Sequence, residues 1–92
     1  MTFHVEVTPA ARRDLAKLPR DILRRVDAHI VALADNPYPP GAKKLQGGEG
    51  VFRVRVGDYR MLYTVEHHRL VIVVVRVGHR REIYRIVAGL RA

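Results

Sequence analysis

The chain has 92 residues, no cysteine, and 17 Lys and Arg against nine Asp and Glu, for a formal charge of +8. A hydrophobic content of 48% suits one small folded domain over residues 1–92 rather than a disordered tail. The lack of cysteine excludes disulfides, thiolate metal sites and a cysteine nucleophile. The charge is uneven: residues 1–50 carry eight basic residues against six acids, and residues 51–92 carry nine against three. Such a positive field draws polyanions, either nucleic acid or an acidic protein segment. The N-terminus shows no basic stretch followed by an apolar one, and the longest apolar run, Leu70 to Val75, is too short to span a bilayer. A soluble cytoplasmic protein without membrane contact is expected.

In chain order, Phe3, Val5 and Val7 alternate with Thr2, His4 and Glu6, the pattern of a short half-buried strand. Thr8-Pro9 follows as a helix start, a hydroxyl cap with proline at the first helical position, and that helix should run to about Leu18. Beyond Pro19, the apolar positions Ile22, Leu23, Val26, Ile30, Leu33 and Ala34 form one stripe of a second helix reaching Asp35, antiparallel to the first. Asn36-Pro37 stops it, and the Pro- and Gly-rich segment up to Gly50 reads as a long surface loop.

Val51 to Val56 alternates again, with Phe52, Val54 and Val56 on one face and Arg53 and Arg55 on the other. With Gly57-Asp58 as a two-residue turn, Val56 pairs with Tyr59. Met61, Tyr63 and Val65 then join the apolar face while Arg60 joins the two arginines. A second hairpin with its tip at His67-His68 leads into a strand from Arg69 to Val77 that Gly78 ends. Its nearly continuous apolar character implies cover on both faces. Glu82 to Leu90 is either a short helix or an irregular tail, with helix favoured. The expected architecture is α+β: a small, mostly antiparallel four-stranded sheet backed by a helical hairpin, in the order β-α-α-β-β-β with a short C-terminal segment.

No His, Asp or Glu cluster has metal-ligand spacing, and no Gly-rich phosphate loop is present, so a metal-independent site without a cofactor is expected. Arg53, Arg55 and Arg60, with His79, Arg80, Arg81 and Tyr84 delivered after the last strand, make a wholly basic surface. Taken alone, Arg53 and Arg55 are ordinary solvated strand residues, Lys43 and Lys44 a wet pair in a loop, and His79 a loop residue. Together they suit a reaction that gathers negative charge on phosphoryl oxygens. RNA carries its own nucleophile in the 2′-hydroxyl, so positioning that oxygen and neutralising the phosphorane suffices for cleavage. Arginine stays protonated, which leaves His79 as the residue whose side chain ordinarily titrates near neutrality.

The opening F-H-V-E-V-T-P-A-A, then L-Q-G, F-R-V-R-V-G-D-Y-R and R-V-G-H-R-R-E-I-Y, resemble the RelE-type ribosome-dependent mRNA interferases of bacterial type II toxin-antitoxin modules, within the RelE/ParE superfamily. The likeness covers nearly the whole chain. It implies that Arg53 and Arg55 hold the mRNA backbone, that Arg60 orients phosphate, that Arg80 stabilises the transition state and that Tyr84 stacks on or orients the nucleotide. It also implies cleavage of mRNA in the ribosomal A site, leaving a 2′,3′-cyclic phosphate, and neutralisation by a cognate acidic antitoxin. Lys43, Lys44, His79 and Arg81 are further candidates for contact with mRNA or 16S rRNA. Where relatives carry lysine at the strand positions this chain has arginine, whose pKa rules it out as a general base. Two other readings remain open at this point: a ParE-like gyrase poison without nuclease activity, and a non-catalytic basic module that only binds RNA or an acidic partner.

Overall fold

Strand and helix signals resolve, in the computed structural model, into eight elements, and the structure describes residues 2–45 and 50–91. These are β1 (His4–Val7), α1 (Pro9–Ala16), α2 (Arg20–Asp35), β2 (Lys43–Lys44), β3 (Val51–Val56), β4 (Tyr59–Glu66), β5 (Val71–His79) and α3 (Arg80–Arg91). The Thr8 cap forms as its position demands: Oγ1 accepts from the Ala11 amide at 3.0 Å and donates to the Val75 carbonyl at 2.8 Å. One hydroxyl therefore starts α1 and ties that start to β5. On α2 the apolar stripe buries Val26 and Leu33, while Val31 on the opposite side is 70% exposed.

The strands form one sheet in the order β1-β5-β4-β3-β2, with β1 parallel to β5 and every other pair antiparallel. Five strands rather than four are present. Lys43 and Lys44, expected in an irregular loop, pair with Arg53 and Phe52 and add a two-residue edge strand. A strand this short carries no hydrophobic alternation, so periodicity had nothing to register. Gln46 and Gly47 of the L-Q-G motif lie outside the described residues. The C-terminal segment is a 12-residue helix beginning at Arg80, and β5 continues through Gly78 to His79 rather than ending at Gly78.

Helices α1 and α2 cover one face of the sheet. Val54, Val56, Met61, Tyr63, Ile72, Val74 and Val77 meet Ala11, Val26 and Leu33 there, all almost completely buried. A bulge decides how β5 contributes. Tyr63 pairs with Val74 but Leu62 with Arg76, so Val75 is an extra residue. Without it, alternation after Ile72 and Val74 would send Arg76 into the core; with it, Val77 enters instead. Helix α3 lies over the other face, against β5 and β4, where Leu62 is fully buried. Gly78 makes that approach close. A Cβ there would stand 3.3 Å from Glu82 Oε2 and 3.7 Å from Ile83 Cδ1. β5 thus lies between two strands and under helices on both sides, which is why it is apolar along its length. No described helix is long and apolar enough to cross a membrane.

Candidate active site

The β3–β4 turn builds the site. Val56 pairs with Tyr59 around Gly57-Asp58, and Gly57 has φ +61°, a left-handed conformation that glycine adopts without steric cost. The pairing sets Arg55 directly opposite Arg60 and Arg53 opposite Leu62, so all three guanidinium side chains start from the same face. The Gly57 carbonyl accepts from Arg55 Nε at 3.0 Å and from Arg60 Nη1 at 3.2 Å, and Arg60 Nη1 also reaches the Tyr59 carbonyl at 3.1 Å. No described carboxylate forms an ion pair with Arg53, Arg55, Arg60 or Arg80.

Helix α3 supplies the opposite wall. The Arg80 amide donates to the Asp58 carbonyl at 2.8 Å, which fastens the start of the helix to the turn carrying the arginines. The cleft between them, about 510 Å³, is lined by Arg53, Arg60, Arg80 and Tyr84 together with Leu45, Ile83, Val87 and Ala88. Partial burial lowers the pKa of the Arg60 guanidinium, and the positive charges of Arg55, Arg53 and Arg80 lower it further, with only Asp58 opposing. That is the signature of a group surrounded by its own sign. It remains protonated, so the cleft is an array of donors with no carboxylate among its described lining residues.

The expected residues divide into those that converge and those that do not. Arg53, Arg60, Arg80 and Tyr84 line one cleft. Arg55 stands at its shoulder, exposed and directly across from Arg60. Tyr84, at 77% exposure, is not the core aromatic that its apolar neighbours would suggest. Lys43 pairs with Arg53 and shares its side of the sheet, whereas Lys44 is opposite Phe52 and shares the other; both are exposed and neither lines the cleft. His79 lies elsewhere. Its Nδ1 accepts from the Arg81 amide at 3.3 Å and its ring meets Tyr59 edge-on with centroids 5.6 Å apart. Arg81 is exposed in the first turn of α3, one residue past the cleft.

Sequence reasoning missed the apolar wall of Leu45, Ile83, Val87 and Ala88. Val87 and Ala88 follow Ile83 and Tyr84 at helical spacing, a signal that was present but needed the helix assignment first. It also missed Arg25, whose guanidinium nitrogen would lie 3.3 Å from a Cβ on Gly57, so that α2 adds another positive group beside the turn.

The family described as "ParE toxin of type II toxin-antitoxin system, parDE" matches residues 5–84. Toxin RelG of Mycobacterium tuberculosis is 38% identical over 86 residues, covering 92% of this chain and 99% of that one. The chain belongs to the RelE/ParE superfamily of type II toxin-antitoxin toxins. Within it, the likeness to RelE-named members is broad: toxin RelE of M. tuberculosis is 34% identical over 87 residues, covering 91% of this chain and 88% of that one. Among solved structures, the M. tuberculosis RelBE2 toxin-antitoxin complex superposes with a TM-score of 0.75 at 37% identity, covering 87% of this chain and all of that one. The archaeal RelE–RelB complex of Pyrococcus horikoshii gives 0.77 at 29% identity, covering 87% and 97%. This RelE-family toxin shares their α+β architecture, with three helices against one mixed sheet.

Proposed function

We propose that this toxin is a metal-independent endoribonuclease that cuts mRNA in the ribosomal A site. The observation carrying the reading is that Arg53 and Arg60 from the sheet and Arg80 and Tyr84 from α3 line a single cleft. The 2′-oxygen of one nucleotide attacks the adjacent phosphorus, the bond to the 5′-oxygen breaks, and a 2′,3′-cyclic phosphate and a 5′-hydroxyl remain. Arg60 and Arg80 take up the charge that grows on the phosphoryl oxygens, Arg53 and Arg55 hold the backbone, and Tyr84 and the aliphatic wall flank the base. Three guanidinium groups lining one cleft, with no carboxylate among its described lining residues, favour the arrival of an anion, which supports a cleft organised ahead of its ligand. The 2′-hydroxyl proton leaves to water, and water returns a proton to the departing 5′-oxygen.

The inhibiting partner in this reading is an acidic antitoxin segment laid into the same cleft, so antitoxin and RNA exclude each other. Solved relatives are toxin-antitoxin complexes, which supports it. The test is brief induction in growing cells followed by mapping of transcript ends. Breaks within reading frames that vanish with Arg60→Ala are expected. The parDE description of the matching family favours a second reading, a gyrase poison acting by protein contact. DNA breaks with intact messages would establish that reading in place of the nuclease.

A further inference from the structure

We infer that His79 is a positioning residue, the cap of a two-bond hinge that sets Arg80 and Tyr84 against the sheet arginines. For its catalytic consequence, the inference rests on the endoribonuclease reading above. Helix α3 starts at Arg80, so His79 occupies the residue before the first turn, and its Nδ1 takes the Arg81 amide at 3.3 Å. A side chain at that position accepting from the second helical amide is what Ser, Thr, Asp and Asn do at helix starts. A histidine does it only through an unprotonated nitrogen.

The ring is held from a second side. Tyr59 is the register partner of His79 on β4 and its ring stands edge-on to the imidazole, 5.6 Å between centroids and 82° between planes. One residue on, the Arg80 amide is bound to the Asp58 carbonyl at 2.8 Å. The first two amides of α3 are therefore committed to the sheet side, one to the turn and one to the imidazole. Both bonds sit where the chain leaves β5, beside the turn that carries Arg55 and Arg60.

Five of the eight described residues lining the cleft, Arg80, Ile83, Tyr84, Val87 and Ala88, lie on this helix. The angle at which α3 leaves the sheet therefore sets the width of the cleft. Loosening one bond at the hinge moves every one of those side chains together. Arg80, at the joint, acts on charge that develops only as the phosphoryl group reacts, so its misplacement slows chemistry more than binding. The imidazole commits Nδ1 to the Arg81 amide and sets its ring against Tyr59.

The test compares His79→Ala with His79→Asn, since asparagine can cap a helix and cannot act as imidazole does. Two measurements are made: amide hydrogen exchange along α3, and the cleavage rate constant with its KM on message-loaded ribosomes. In His79→Ala, exchange at Arg81 and Glu82 should quicken about fivefold while the amides of β4 and β5 stay protected, which shows that the fold is intact. The cleavage rate constant should fall by about fivefold to tenfold with KM within about twofold. His79→Asn should restore both. Unchanged exchange in His79→Ala overturns the hinge. Restored exchange in His79→Asn with cleavage still lost overturns it differently, by showing that the imidazole itself works on the substrate. If the wild-type protein cuts no message, the exchange arm still decides the hinge and only the nuclease reading falls.

Discussion

Arg76 and Arg60 lie on neighbouring strands of one sheet and in opposite circumstances. At the β5 bulge, Arg76 donates to Asp14 through Nε at 2.8 Å and Nη2 at 3.2 Å, and the Val77 amide adds a third bond to the same carboxylate at 3.0 Å. That pairing raises the Arg76 pKa. Burial alone would raise the Asp14 carboxyl, but the bonds from Arg76 and Val77 outweigh it and hold the carboxyl below its ordinary value. At the cleft, Arg60 finds two backbone carbonyls and no described carboxylate, and burial with its arginine neighbours lowers its pKa. The first arrangement is a complete clamp between α1 and β5. The second is left without a described counter-charge, the contrast on which the endoribonuclease proposal rests.

Substitutions should separate the two regions sharply. Arg60→Ala should lower message cleavage by two to three orders of magnitude, the loss of roughly 3 to 4 kcal/mol of transition-state stabilisation. Its urea midpoint should match or exceed that of the parent, because a like-charge neighbour has gone. A large loss of stability in that variant would mean that the cleft is a structural element after all. Asp14→Ala should do the reverse, costing about 2 kcal/mol in urea unfolding. Broken buried pairs cost more, but the Arg76 side chain retains 33% exposure and water recovers part of the loss. Cleavage per folded molecule should be unaffected.

Acid offers a reversible version of the same contrast. With the folded pKa of Asp14 below its unfolded value of about 3.9, its contribution is complete above that pH and disappears as pH falls through the folded value. Urea midpoints taken from pH 5 down to pH 2 should therefore drop more steeply for the parent than for Asp14→Asn. Parallel curves would detach the clamp from stability. The smallest effect concerns Tyr63, fully buried, whose hydroxyl donates to the Pro37 carbonyl at 2.7 Å. Burial and the nearby Tyr38 push its pKa up to about 12. Tyr63→Phe should cost about 1 kcal/mol, read by urea unfolding, with cleavage retained.

Periodicity alone carried the reading a long way. Alternation in residues 51–56 and the Gly57-Asp58 turn predict the pairing of Val56 with Tyr59, and with it the shared face of Arg53, Arg55 and Arg60. Thr8-Pro9 marks the start of α1, and the apolar stripe marks α2. These features follow from nearest-neighbour sterics and from which side of an element must leave water, and both are written locally.

What only the folded chain decided depends on distant partners. The bulge at Val75 exists because Tyr63 and Leu62 must pair across it, and it moves Arg76 out of the core toward an acid 62 residues away. The two-residue strand at Lys43 forms because β3 presents a free edge. The weakly marked C-terminal segment becomes a full helix because Gly78 lets it pack on the sheet and Asp58 and His79 take its first amides. Residue identity determined that arginines share a face. Long-range packing determined that Arg80 and Tyr84 come to meet them, since a helix this short is stable only against a surface that the rest of the chain provides.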